Sequence, residues 1–297
     1  MNARLLVALL LGVFMGALDN SILAPALPEI GVSFNSNPTK VILVFSIYAV
    51  FYAVSVPLLG KLSDLFGYKR IYTFSMGLFV LGSMLSALSP TLSFLVISRV
   101  IQAVGAGGLF PVAQAVVGSV YPKEEQGKAL GFVFGFYALG SIIGPNLGGF
   151  IVENFSWHWI FWVNVPIGAI GIALLVGTQI PQPKRVPIID WLGGVLVALT
   201  FASLILGIQG IQNIDKIGFW SFEIGLRFAL FVLGGIALVL WELRHRDPIL
   251  DIRMAASQTF IPIFLVSNMV GYALLGGIVF SPCFRNLFLI YQRLHQG

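Results

Sequence analysis

The segment Gly60-Lys-Leu-Ser-Asp-Leu-Phe-Gly-Tyr-Lys-Arg70 is the most informative part of this 297-residue chain. It carries three basic residues and one acidic residue, and it separates residues 41–59 from residues 71–88, neither of which contains a charge. A helix needs about 20 predominantly apolar residues to cross the hydrocarbon core of a bilayer. The stretch is therefore predicted to be a tight turn between two membrane-spanning helices. Its basic residues should hold it on the cytoplasmic side.

The composition excludes a water-soluble protein. The chain is 58% hydrophobic and only 10% charged, whereas about a quarter of the residues in a soluble domain are charged. The net charge of +5 comes from basic residues in short loops, so there is no basic face that would bind nucleic acid. The single cysteine, Cys283, excludes an intrachain disulfide. We expect the lipid bilayer to be the main partner, and no cofactor or metal.

Apolar runs recur along most of the chain, and each is predicted to be a helix because backbone groups in lipid must be hydrogen-bonded internally. The nine runs are Leu5–Leu27, Val41–Leu59, Ile71–Leu88, Leu92–Val120, Ala129–Val152, Trp159–Ile180, Trp191–Gln209, Phe222–Leu243 and Phe260–Phe280. The predicted fold class is an all-α polytopic membrane protein.

The distribution of basic residues sets the orientation. With the amino terminus inside, the cytoplasmic loops hold eleven basic residues and the outer loops before the ninth span hold two, Lys40 and Lys216. The eleven are Arg4, Lys61, Lys69, Arg70, Lys123, Lys128, Lys184, Arg185, Arg244, Arg246 and Arg253. By the positive-inside rule the protein is expected to be a multi-pass protein of the plasma membrane with a cytoplasmic amino terminus.

Loop lengths predict three regions. A proline-rich basic connection, 181–187, follows the sixth span, and a polar connection, 244–258, follows the eighth. We therefore predict a six-helix lobe over 1–182, a linker with two extra spans over 183–258, and the start of a second lobe over 259–297.

Two charges lie inside spans: Asp19 in the first span and Arg99 in the fourth. At 1.5 Å per residue, Asp19 is ~22 Å from the cytoplasmic face and Arg99 ~10 Å from the outer face, which puts both in the outer half of a core about 30 Å thick. Burial disfavours the ionised carboxylate and a nearby guanidinium favours it, and this competition can poise a proton carrier. A carboxylate that only bonds a helix partner, or a static salt bridge, is the open alternative. The matching positions also suggest two inverted three-helix repeats, each loosened by glycine or proline near its charge.

Gly140, Gly144 and Gly148 recur every fourth residue and fall on one helix face, where small side chains let another helix approach closely. This spacing alone usually indicates packing. Without a second lobe, we expect this face to be open to lipid or to another chain.

Four patterns resemble motifs of the major facilitator superfamily, in its fourteen-helix drug–proton antiporter branch. They are the Gly60–Arg70 loop, the Leu-Asp-x-Ser pattern around Asp19, the Arg-x-x-Gln-x-x-Gly pattern around Arg99, and the Gly140–Gly149 stripe with Pro145. The stretch Trp157-His-Trp159 to Pro166 is also typical of that branch, although His158 stands where arginine is usual.

The resemblance implies export of small hydrophobic or cationic compounds, driven by proton entry. The residues it assigns to proton coupling or substrate are Asp19, Asn20, Arg99 and Gln102. Those it assigns to a loop that latches the two lobes together are Gly60, Asp64, Gly67, Lys69 and Arg70, and those it assigns to the antiporter motif that shapes the gate are Gly140, Gly144, Pro145, Gly148 and Gly149. Leu65 and Tyr68 depart from the basic residues usual in the loop, which weakens any charge relay through Asp64.

Two other functions were considered. An enzyme is disfavoured because the three histidines are far apart and no Gly-x-Ser-x-Gly or His-Glu-x-x-His pattern occurs. A non-transporting fragment of such a transporter is the stronger alternative, because only one span follows the linker and the tail from Ser281 does not resemble the family. We expect a truncated chain that needs its missing carboxy-terminal lobe, or a second chain, for a full pathway.

The orientation can be tested with reporter fusions. Fusions at Lys69 and Lys184 should report a cytoplasmic location and a fusion at Asp215 an external one, because positive loops stay inside. A swapped result at any of the three positions would contradict the predicted orientation.

Overall fold

The computed structural model describes residues 3–180, 190–211, 222–245 and 248–255, together with 257, 260–262, 264–266 and 269. Within these residues every regular element is helical. The helices are α1 (Ala3–Ile22), α2 (Leu27–Ser33), α3 (Pro38–Phe66), α4 (Tyr68–Ala87), α5 (Leu92–Val120), α6 (Lys123–Asn154), α7 (Trp159–Trp162), α8 (Asn164–Leu175), α9 (Trp191–Ile211), α10 (Phe222–Glu242) and α11 (Ile252–Ala255).

The predicted spans correspond to these helices. Seven segments of the described chain are long and apolar enough to cross a membrane, and the shorter apolar segment Trp159–Leu175 supplies the sixth predicted span. The all-α polytopic fold is thus confirmed. The predicted ninth span lies largely outside the described residues, as do the connection 181–187 and the tail.

The chain divides into two compact units, residues 1–250 and residues 251–297. The first holds α1 to α10, and α9 packs on α3: a Cβ added at Gly194 would lie 3.0 Å from Leu58 Cδ2. In the second, the described residues include α11. The predicted region boundaries at 182 and 258 stay predictions.

The first and fourth spans differ in their regularity. Pro25 lies in a 3₁₀ turn, Ala24–Ala26, that interrupts the first span between α1 and α2. In contrast, α5 continues through Gly105 and Pro111 without a break. The expectation that both spans are loosened is therefore wrong for the fourth. Its glycines serve packing instead, since a Cβ at Gly105 would lie 2.8 Å from the Cα of Phe79 on α4.

The glycine stripe of α6 packs on α1. A Cβ at Gly140 would lie 2.6 Å from the Phe14 carbonyl oxygen, and Cβ atoms at Gly144 and Gly148 would collide with Ser21 and Ile22. The expectation that this face is open to lipid or to another chain is wrong, because close backbone approach inside the lobe already fills it.

The core of the lobe consists of two apolar clusters. One contains Met15, Phe79 and Ala103, and the other contains Ile22, Ala87 and Leu95. On α1, α4 and α5, these residues bracket a layer of buried polar side chains. The polar layer thus lies in the middle of the lobe, between two apolar layers.

The α1–α6 contact predicts opposite effects for two alanine substitutions. Gly140→Ala should lower the unfolding temperature, because overpacking a tight contact costs about 1–3 kcal/mol. Gly149→Ala is the matched control: nothing lies within 4 Å of its Cβ, and alanine is favoured over glycine in a helix by up to about 1 kcal/mol. Thermal unfolding of the purified protein in detergent measures both, and equal responses would contradict the contact.

Candidate functional site

An ion pair in the polar layer joins α1 to α5. Arg99 Nη1 lies 2.8 Å from Asp19 Oδ2, and the side chains are 1% and 0% exposed. The pair thus connects the two charges that the sequence places inside spans.

Two amides complete the surroundings of the carboxylate. Gln102 Nε2 donates to Asp19 Oδ1 at 2.8 Å, and Asn164 Nδ2 donates to the same oxygen at 3.1 Å. Gln102 Oε1 accepts from Arg99 Nη1 at 2.9 Å. Both oxygens of Asp19 therefore receive hydrogen bonds, as an ionised carboxylate requires.

Ser83 on α4 connects the two amides to the sixth span. Its hydroxyl accepts from Gln102 Nε2 and from Asn164 Nδ2, each at 3.1 Å, and donates to the Phe161 carbonyl at 2.9 Å. That carbonyl lies in α7, just before the break between α7 and α8. The network therefore joins α1, α4, α5 and the sixth span.

Tyr48 of α3 covers the guanidinium. Arg99 Cζ lies 4.0 Å from the centroid of the Tyr48 ring, a distance at which a cation–π interaction is favourable. Tyr48 Oη, Arg99 Nε and Asn164 Oδ1 are buried and have no hydrogen-bond partner among the described residues. These three atoms are the unsatisfied positions of an otherwise bonded network.

Asp19 and Arg99 each stabilise the charge of the other in the buried interior. Moving either ion from water into a low-dielectric interior is costly, and removing one partner of a buried pair leaves the other uncompensated. Inside a membrane, ionisable residues of this kind are rare and are associated with ion and substrate pathways.

The structure brings together three of the four residues predicted for coupling. Asp19, Arg99 and Gln102 are mutually bonded, whereas Asn20 is exposed. Sequence reasoning missed Ser83, Asn164 and Tyr48. Asn164 had a signal, since it is the one amide in the apolar segment 159–175, but nothing singles out Ser83 among the serines of its span.

The loop predicted from Gly60 to Arg70 is mostly helical. Helix α3 runs to Phe66 and α4 begins at Tyr68, so Gly67 alone forms the turn. Its φ of 93° lies in the left-handed region that glycine tolerates.

The charged side chains of this segment have different surroundings. Asp64 Oδ1 accepts from Tyr68 Oη at 3.2 Å, and Lys69 Nζ donates to the Thr178 carbonyl at 2.7 Å. Lys61 Nζ donates to the Pro248 carbonyl at 3.1 Å, and Arg70 is exposed. A Cβ added at Gly60 would lie 3.9 Å from the Cβ of Pro111 on α5, which is ordinary van der Waals contact. The segment therefore ties α3 and α4 to the end of the lobe and to the chain after α10.

The predicted antiporter motif divides into two faces. Gly140, Gly144 and Gly148 are buried against α1, and Ser21 Oγ donates to the Gly140 carbonyl at 3.4 Å. Pro145 is half-buried, and Gly149 has open space beside it. The glycine face thus contacts the helix that carries Asp19.

His158 lies at the end of the loop before the sixth span. Its ring stacks on Trp157 with centroids 3.7 Å apart, and burial lowers its pKa below the usual value. Trp157 is buried and donates from Nε1 to Ser33 Oγ at 2.9 Å. The stacked pair of Trp157 and His158 therefore packs at this end of the lobe. Within the described chain, no three His, Cys, Asp or Glu side chains are grouped so as to hold a metal ion.

The model of the Major Facilitator Superfamily matches residues 9–294 of this chain. The chain belongs to the major facilitator superfamily. It is 32% identical over 93% of its length to Multidrug resistance protein 3 of Bacillus subtilis, and 34% identical over 94% of its length to Multidrug export protein EmrB of Haemophilus influenzae. It covers 54% of each, so the chain spans about half the length of the curated relatives it matches.

A solved structure shows the same fold. The crystal structure of the peptide transporter POT in complex with sulfate (E310Q mutant) matches with a TM-score of 0.59 and 17% identity, over 81% of this chain and 52% of that one. The family predicted from the motifs is confirmed, and multidrug proteins are among its relatives.

The buried pair predicts a strong coupling in stability. Arg99→Leu and Asp19→Leu should each destabilise by about 3–5 kcal/mol, because each strands a buried charge, and the double variant should lose less than the sum. Glu223→Gln is the control, since Glu223 and Arg227 form an exposed pair at 3.9 Å, and such a pair contributes at most about 1 kcal/mol. Unfolding in mixed detergent micelles measures all four variants, and additive losses would contradict a coupled pair.

Proposed function

We propose that this chain supplies the proton-coupling lobe of an efflux transporter that exports small hydrophobic or cationic compounds in exchange for protons. The observation that carries the proposal is the carboxylate of Asp19, which is 0% exposed and is held by one cation and two amides in the middle of a membrane lobe. The relatives named for multidrug resistance and export support the substrate class.

Asp19 has two states in this proposal. Ionised, it accepts from Arg99, Gln102 and Asn164 and holds α1 against α5 and the sixth span. A proton cancels its charge and removes the main attraction for Arg99. Because a buried unpaired cation is unfavourable, Arg99 is then expected to move away from Asp19 and form other contacts. Proton binding is thereby converted into a change in helix packing.

The other motifs transmit this change. The glycine face of α6 follows α1 because the two backbones are in close contact, so Gly140, Gly144, Pro145, Gly148 and Gly149 are proposed to shape the gate and limit leakage. Gly60, Asp64, Gly67, Lys69 and Arg70 are proposed to latch this lobe to a second one. Exposed Asn20 is proposed to face the substrate.

Transport requires a second lobe. Alternating access in this fold comes from the rocking of two lobes about a site near the midplane, and α1 to α8 form one of them. We therefore propose that these helices alone form no complete pathway, and that the second lobe comes from a further segment or a second chain.

The proposal predicts that Asp19→Asn abolishes proton-driven export. The amide keeps the shape of the carboxylate but carries no titrating group. The test joins residues 1–258 to the carboxy-terminal lobe of the Haemophilus influenzae relative and measures efflux of a cationic dye from proteoliposomes under an imposed proton gradient. Asp19→Asn should reduce efflux to the level of empty liposomes, Arg99→Ala should impair it, and Glu223→Gln should leave it unchanged.

Two outcomes would contradict the proposal. Normal gradient-driven export by both Asp19→Asn and Arg99→Ala over a range of pH would make the pair structural. Gradient-dependent transport by the 297-residue chain alone would overturn the requirement for a second lobe. Insertion of every variant is checked by its yield in the membrane fraction.

A further inference from the structure

Asn164 is the one member of the network whose amide is bonded at a single end. Its Nδ2 donates to Asp19 Oδ1 and to Ser83 Oγ, both at 3.1 Å. Its Oδ1 is buried and has no hydrogen-bond partner in the described part of the chain. A buried acceptor without a hydrogen bond is unfavourable, so a second arrangement in which this oxygen is bonded would compete with the present one.

Gln102 shows the contrast. Its Nε2 donates to Asp19 and Ser83, while its Oε1 accepts from Arg99 Nη1 at 2.9 Å and from Ser86 Oγ at 3.5 Å. Reversing this amide would turn its NH₂ group toward the guanidinium, which only donates. The orientation of Gln102 is therefore fixed by Arg99, and that of Asn164 is fixed by Asp19 Oδ1 and Ser83 Oγ, which both accept from its Nδ2.

Protonation of Asp19 changes which hydrogen-bond partner its carboxyl group needs. An ionised carboxylate accepts only, whereas a protonated one has an O–H that needs an acceptor. In the present arrangement Arg99, Gln102 and Asn164 all donate to Asp19. Of these three, only Asn164 can offer an acceptor by rotating its amide, and that acceptor is the oxygen that now lacks a partner.

We propose that Asn164 is a positioning residue whose amide reverses when Asp19 is protonated, so that Asn164 Oδ1 accepts the new O–H. The inference rests on the proposed function, since it assumes that Asp19 takes up a proton. It adds the residue that supplies an acceptor to the O–H of protonated Asp19.

The reversal of the Asn164 amide would also affect the sixth span through Ser83. Ser83 Oγ, which now accepts from Asn164, donates its single proton to the Phe161 carbonyl. After the reversal, Ser83 faces an amide oxygen and can donate to it instead, which releases Phe161 next to the break between α7 and α8. Protonation of Asp19 on α1 thereby changes a hydrogen bond in the sixth span.

The charged and titratable groups that face Asp19 come from two helices. Arg99 approaches from α5 and Tyr48 from α3, while α4 and α8 present the neutral groups of Ser83 and Asn164, and α6 presents its glycine stripe. Tyr48 Oη is also buried, and it interacts with the Asp19 carboxylate. Tyr48 is therefore the competing acceptor, and the experiment must separate the two.

The test is infrared spectroscopy of the purified chain in nanodiscs as the pH is lowered. A protonated Asp19 gives a carbonyl band that is absent in Asp19→Asn, and donation of its O–H to an acceptor lowers the frequency of that band. Asn164→Leu should shift the band to higher frequency. Asn164→Thr should keep it near the original position, because a hydroxyl can donate or accept. Tyr48→Phe should not shift it.

A second measurement does not depend on whether Asn164→Leu folds. In chain labelled with ¹⁵N-asparagine, the side-chain amide resonance that disappears in Asn164→Thr should change with pH at the same midpoint as the infrared band. A resonance that stays constant while the band appears would overturn the reversal.

The remaining outcomes separate the inference from the proposed function. If no pH produces the band, Asp19 does not take up a proton, and the proposed function and the inference both fail. If the band appears but Asn164→Leu leaves its frequency unchanged, or Tyr48→Phe shifts it, the acceptor role of Asn164 is wrong and proton uptake by Asp19 stands.

Discussion

The ion pair between Asp19 and Arg99 is the constraint on which the rest of the lobe depends. Two charges that lipid would reject can lie in a span only if they meet and if their remaining hydrogen-bonding positions are filled. For the two charges to form a pair, α1 and α5 must place them side by side. Polar groups from α4 and the sixth span must then satisfy their remaining hydrogen-bonding positions. One pair thus fixes the relative positions of four spans.

Close packing of the surrounding helices makes this arrangement possible. Without water, membrane helices associate through small residues that allow close backbone contact. In this lobe Gly105 lets α5 approach α4, and Gly140 lets α6 approach α1. The glycines therefore allow the helices to approach closely enough for their polar groups to form hydrogen bonds. They also couple α6 mechanically to the helix that carries Asp19.

The polar layer holds a buried ion pair, but some of its hydrogen-bonding atoms have no partner. Gln102 is bonded at both ends, while Tyr48 Oη and Asn164 Oδ1, among the described side chains, lack partners. A network in which every group were satisfied would favour one protonation state only. Unmade hydrogen bonds beside a carboxylate are compatible with the two protonation states proposed for Asp19.

The apolar spans and the two charges inside them can be predicted from the sequence alone, because lipid imposes a length of about 20 apolar residues on every span. The sequence also indicated Asp19, Arg99 and Gln102. The contacts of Ser83, Asn164 and the glycine stripe are visible only in the folded structure. Neutral polar and small residues are common in membrane helices, and sequence spacing gives the face of a helix but not the neighbour that covers it. Asn20 and Asp19 are adjacent in the chain, yet 100° of helical rotation puts one at the surface and the other in the centre of the lobe.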